Sequence, residues 1–413
     1  MKDLNPGPHD SGPLLYPPPA VIGGSIFFEA SDDIHGKELW KSDGTKAGTV
    51  LVKDIMPGFG NSTPIGLTAL GGQIFFSAYD PANGRELWKT DGTDAGTVLV
   101  KDILPGTSGS EPGGFAVLNS VLLFAANDVS RGTELWRTDG TEAGTVLVKD
   151  IYPGPNAGFP VGLVDLNGTI FMSANDAAGA RLWQTDGTEA GTVPTKDVAV
   201  SGLVNAGGSL FFKGLDDVHG WEMWKSDGTE AGTAMISDLT PGSGDSNVIG
   251  PLIPYLGGVI FNMFTGVKKL WKSDGTEVGT VPVTQVPIEY GEVVVGSTIF
   301  FTSDDGVHGI ELWKSNGTGP GTKMVKDINP GSASARPFFF TVFNGKLFFR
   351  ASDPGHGAEL WNSNGTAVGT ALVADINPGN ASSAPHDFAA VDRTLYFSAI
   401  HVSFGRELWR RTI

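Results

Sequence analysis

Seven aspartates recur at matching places along the 413-residue chain: Asp32, Asp80, Asp128, Asp176, Asp216, Asp305 and Asp353. A ring of carboxylates on one face of a molecule focuses an electric field on cations or amine-bearing ligands. Four of them have a histidine three residues on, His35, His219, His308 and His356, and each histidine precedes a glycine. His308 and His356 fall in adjacent repeats, so the spacing places them near one another. A histidine pair beside aspartates is a donor set for a transition metal, although no third ligand stands at a defined spacing. The competing reading, an aspartate bonded to the backbone of its own turn, is preferred. A second series, the Asp-Gly-Thr turns from Asp43 to Asp274, suggests calcium. It lacks the alternating acids and terminal glutamate that supply a full oxygen shell, so turn capping is preferred there too and no cofactor is expected, calcium being the alternative at these turns. Trp221 stands outside the repeat, and exposed aromatics favour binding. No nucleophile elbow, zinc signature or phosphate loop is present, and there is no cysteine for thiolate chemistry. No catalytic residue is assigned.

These residues are positioned by a repeat. Glu-Leu-Trp-x-x-Asp-Gly-Thr-x-x-Gly-Thr recurs with its tryptophans at Trp40, Trp88, Trp136, Trp183, Trp224, Trp271, Trp313, Trp361 and Trp409, at 41 to 48 residues apart. Such a period means one supersecondary unit copied into a solenoid, propeller or array. In the second unit, 64–70, 74–78, 86–89 and 97–103 read as four strands separated by Gly71-Gly72, by Asp80 to Gly84 and by Asp91 to Gly96. Nothing shows helical periodicity, so the fold class is all-β: a single closed β-propeller of nine four-stranded blades. The units run approximately 8–58, 59–106, 107–154, 155–200, 201–242, 243–286, 287–331, 332–379 and 380–413 plus 1–7, one domain over 1–413. The last unit ends after its third strand, and Lys2 to Gly7 matches the fourth-strand ending Lys326 to Gly331. The two termini are therefore expected to share the ninth blade and close the ring, with a partial outer strand. The missing first half of that strand also fits a propeller cut from a longer repeat protein. Because every unit carries them, the nine tryptophans are read as packing between blades rather than as ligand platforms.

These residues resemble the bacterial family named for its ELWxxDGT repeat, over essentially residues 1–413. The resemblance implies a repeat-built propeller of secreted or cell-surface proteins with no established activity and no catalytic residues to carry over. The strand order also looks like the WD-type repeat, without its Gly-His dipeptide. Departures cluster centrally: Arg181 and Lys269 replace the glutamate, Met223 the leucine, and Asn316 and Asn364 the turn aspartate, while units four and six lack the Pro-Gly segment.

The net charge of −17 argues against nucleic acid, which requires clustered Lys and Arg. No apolar run is long enough to span a membrane, and the amino terminus carries no basic, apolar signal sequence. The 59 glycines and 26 prolines sit at fixed offsets and mark turns. The reading is a monomeric, non-enzymatic, rigid binding or scaffold module for a glycan or protein, with 59–63, 107–111 and 332–336 as variable loops on the blade-joining face. The alternative is a propeller enzyme acting on polysaccharide or ester substrates.

Overall fold

The computed structural model describes residues 2–15 and 20–412, and its described residues form nine antiparallel sheets. Met1 and Ile413, which the sequence reading assigns to the ninth blade, lie outside the described residues. Blade 2 shows the plan: Ile65–Leu70, Gln73–Asp80, Gly84–Thr90 and Val98–Lys101 pair in chain order. First strands of successive blades touch one another, so they ring the axis and the fourth strands lie outermost. The second and third strands run further than their hydrophobic pattern. Asp80 pairs with Gly84, and Asp128, Asp176, Asp216 and Asp353 likewise end their second strands opposite the glycine that opens the third. No described helix is long and apolar enough to cross a membrane.

The core is divided among the junctions. Nine apolar clusters each draw on two neighbouring blades, for example Phe27 and Leu39 of blade 1 with Ile74, Phe76 and Trp88 of blade 2. The last joins Leu15, Phe28 and Trp40 to Tyr396 and Leu408, so blade 9 packs on blade 1 and the ring closes. Each tryptophan packs against the blade before its own; Trp271 and Trp409 do so half-buried.

The repeat motif makes its own turn. Asp43 Oδ1 accepts from the Thr45 amide and hydroxyl, Thr45 Oγ1 accepts from Gly48 N, and Thr49 Oγ1 donates to Thr45 O. Gly48 lies so close that a Cβ there would stand 2.1 Å from the Asp43 carboxylate, which explains the second glycine of the motif. Asn316 and Asn364 hold the same bonds through Oδ1, so their replacement of Asp leaves the turn intact.

At the seam, blade 9 has three ladder strands, His386–Val391, Thr394–His401 and Gly405–Thr412. Residues 2–7 reproduce the end of a fourth strand and the loop after it, rather than a ladder strand. Leu4 N donates to Glu407 Oε2 at 3.1 Å as Ile328 N does to Glu311 Oε2 at 2.9 Å. Lys2 Nζ reaches Thr49 O and lies 5.7 Å from the Trp40 ring, as Lys326 does with Thr370 O and Trp361. The termini thus share the last blade.

Candidate ligand-binding face

The second-to-third-strand turns and the blade-joining loops lie together: Gly36 N donates to Gly58 O, Thr63 N to Lys37 O and Lys37 N to Asn61 Oδ1. What ties each loop down is the glutamate of the repeat. Glu38 is fully buried and accepts from Ile55 N, Met56 N, Ser62 N and the Ser62 hydroxyl. Glu86, Glu134, Glu311 and Glu359 hold their loops in the same way. Desolvation raises all these carboxyls. It takes Glu134 and Glu311 to about 7, whereas at Glu38, Glu86 and Glu359 a serine hydroxyl bonded to the carboxylate opposes the rise. Blades 4 and 6 lack both the glutamate and the Pro-Gly loop; Arg181 there reaches Asp176 and Asp197 instead.

Every one of the seven candidate aspartates is engaged inside its own turn. Asp32 Oδ1 takes the Ile34 and His35 amides, Asp80 those of Ala82 and Asn83, Asp128 those of Ser130 and Arg131, and Asp176 that of Ala178. Asp216, Asp305 and Asp353 take two amides each from their turns. The histidines bond the same carboxylates through Nδ1 at 2.8 to 2.9 Å: His35 to Asp32, His219 to Asp216, His308 to Asp305 and His356 to Asp353. His308 and His356 are thus each tied to their own turn, and among the described residues no group of three or more metal-ligating side chains stands together. The His308 amide and then its ring bring Asp305 down to about 2, and the side-chain bonds to Asp216, Asp305 and Asp353 raise His219, His308 and His356 in turn.

Trp221 is different. It occupies the position before the buried glutamate, is half-buried, and lines a cavity of about 270 Å³ with Ser201, Lys213, Asp245, Asn247 and Ile249. Asp245 Oδ1 accepts the Trp221 amide at 2.9 Å, which fixes the backbone beside the opening. Lys213, half-buried, has no ion-pair or hydrogen-bond partner among the described residues. Under the same loop Ser246 N and Oγ turn to Trp221 O, so Glu222 loses that amide and that hydroxyl and keeps the Leu239 amide. Glu222 Oε1 is left buried without a partner among the described residues and the carboxyl rises to about 7, by desolvation first.

No protein-family model matches the chain, and no curated protein does. The kinship with ELWxxDGT proteins remains a resemblance carried by the repeated residues. Solved structures of similar form include the computationally designed Ika8 protein, at TM-score 0.46 and 13% identity over 84% of this chain and 96% of that one. A Mycobacterium tuberculosis puromycin-hydrolyzing peptidase matches at TM-score 0.42 and 11% identity over 85% of this chain, which spans 60% of the peptidase. The polysaccharide lyase Uly1 matches at TM-score 0.38 and 12% identity, over 77% of this chain and 91% of the lyase. At these scores the likenesses carry nothing about the chemistry of this chain.

Two features of this face escape the sequence reading. The glutamate of the repeat looks like one more surface acid until the loop it binds, 17 to 24 residues later, is seen folded over it. Lys213 and Asp245 lie 32 residues apart and meet at Trp221 only because the blade folds back on itself. The break in the repeat at Trp221 was the available signal.

Proposed function

We propose that the chain is a non-enzymatic binding module that holds a saccharide on the blade-joining face at Trp221. The carrying observation is the cavity itself: the Trp221 side chain, an ammonium without a partner among the described residues and a carboxylate border one opening large enough for a sugar ring. Carbohydrate sites combine an apolar platform with a few placed polar groups, which is what these residues supply. The repeated aspartates belong to their turns, and the raised glutamates lie buried under loop amides; of these, Glu222 and Glu407 each keep one oxygen without a partner among the described residues. The enzyme alternative rests on one place, a cavity of about 240 Å³ at the seam bordered by Asp3 and Glu407, where Glu407 rises to about 7 chiefly by desolvation. Secretion or surface display belongs to the same proposal and is supported by the resemblance alone.

A glycan array probed with the purified chain, with calcium and with chelator, tests this reading. Reproducible hits that survive chelator are expected. A blank array from folded protein refutes saccharide binding, and hydrolysis of glycosidic or ester substrates that Glu407→Gln abolishes would install the enzyme in its place.

A further inference from the structure

From blade 2 onward the innermost strand, or in blade 7 the segment just before it, has a residue of positive φ, which sits in a bulge in every one of these blades but the seventh. In blades 2 to 7 it is glycine: Gly66, Gly114, Gly162, Gly202, Gly250 and Gly291, with φ from 66° to 72°. In blades 8 and 9 the same place holds Phe339 at φ 55° and Asp387 at φ 52°. A phenylalanine in the left-handed region is strained, an aspartate less so, and such residues concentrate at functional sites. Both flank one cluster. Phe339 packs on Phe338 with centroids 4.5 Å apart, Phe338 meets Tyr290 edge-on at 5.1 Å, and His386 lies 5.6 Å from Phe339. Arg350, opposite Phe338 in the ladder, sets its guanidinium 5.8 Å from the Phe338 centroid and 4.9 Å from that of Phe339.

Arg350 is half-buried, and its guanidinium has no hydrogen bond or ion pair among the described residues. The two rings hold the guanidinium beside them while its five N–H donors have no acceptor among the described residues. Arg406 approaches from blade 9, anchored on Ala384 O and Ser398 Oγ. Burial and then the Arg406 charge lower the Arg350 pKa, in a chain whose net charge is −17. Asp387, on the innermost strand of blade 9, is taken by His386 Nδ1 at 2.9 Å. The cluster therefore sets a half-buried guanidinium, without a hydrogen bond or ion pair among the described residues, beside aromatic rings.

We propose that this cluster is a second ligand site, separate from the Trp221 cavity, in which Arg350 receives the carboxylate of a uronate residue in a glycan. A guanidinium fork matches a planar carboxylate with two parallel bonds. One such charge suits a protein that repels dense polyanions. The C–H faces of a sugar ring fit against Phe338, Phe339 and Tyr290. The choice of a sugar over other carboxylates rests on the saccharide reading of this face; the anion site itself does not.

Calorimetric titration of the full chain with glucuronic acid, glucose, propionate and the dipeptide Gly-Glu tests the site, alongside Arg350→Gln, Arg350→Lys and Trp221→Ala. Glucuronic acid is expected to bind at least about tenfold more tightly than glucose or propionate. Arg350→Gln should lose about tenfold or more. Arg350→Lys, a point charge without the fork, should recover only part of the loss. Trp221→Ala should keep glucuronic acid binding even where it loses neutral glycans, which separates the two sites. Unchanged binding in a folded Arg350→Gln chain overturns the proposal, as does propionate equal to glucuronic acid. Tighter binding of Gly-Glu would make this a peptide site and overturn the sugar assignment. If Arg350→Gln fails to fold, the lysine variant and the wild-type ligand series decide.

Discussion

At the scale of single residues, the repeat motif is a set of contacts that each demand one residue type. Gly48 faces the Asp43 carboxylate at a distance no Cβ tolerates. Gly48→Ala should therefore cost about 1–3 kcal/mol, read as a lowered denaturation midpoint at unchanged m-value. The tryptophans divide differently. Eight indole N–H groups, including that of Trp88, are buried without an acceptor among the described residues, while Trp409 Nε1 donates to Ala399 O at 3.0 Å. Trp88→Phe forfeits no hydrogen bond and should shift stability by less than about 1.5 kcal/mol, whereas Trp88→Ala opens the junction and should cost about 3–5 kcal/mol. Equal losses for the two Trp88 variants in chemical denaturation would show the indole N–H to matter. The Asp-Gly-Thr turn was legible in the sequence because its contacts lie within seven residues. The place of Arg350 was not, because its rings stand on the innermost strand of blade 8, the arginine on the next, and its further neighbours on blades 7 and 9.

The element that decides the blade-joining face is the buried glutamate with its loop. Glu134 receives backbone amides on both oxygens, so Glu134→Gln sets an amide donor against an amide donor and should cost about 1–3 kcal/mol. Glu222 has one unpartnered oxygen, and Glu222→Gln should be close to neutral. Comparable thermal shifts in the two variants would contradict the clamp as described. The clamp also sets a pH dependence. Glu134, Glu222, Glu311 and Glu407 sit at about 7 against an ordinary 4.5, so the folded chain binds more protons than the unfolded chain between those values. Their contribution is complete below about 4.5 and is lost as the pH rises through 7, and the raised His219, His308 and His356 add in the same direction. The melting temperature should fall from pH 5 to pH 8; a rise over that interval would contradict these shifts. The central departures noted in the sequence acquire a reason here, since Arg181 and Lys269 replace the clamp where there is no Pro-Gly loop to hold.

For the whole molecule, nine clusters between blades make a ring in which no blade owns its core. The tryptophan period and the match of Lys2–Gly7 to Lys326–Gly331 made blade number and closure legible, because both are repetitions of a local pattern. The sites were legible only as interruptions. Trp221 announced itself by breaking the unit, but Lys213 and Asp245 did not, since polar residues at a loop and a strand end carry no local signal of convergence. The seven aspartates carried the opposite signal, conspicuous by repetition and spent within their turns. Interruption, rather than repetition, is where this ring is free to act on a ligand. The most direct test of that claim is the affinity of an array-positive glycan for the wild-type chain and for Trp221→Ala, with thermal unfolding of both. The account predicts at least about a tenfold loss of affinity at a melting temperature within a few degrees of wild type. Unchanged affinity in the folded variant would contradict it and move the saccharide site away from Trp221.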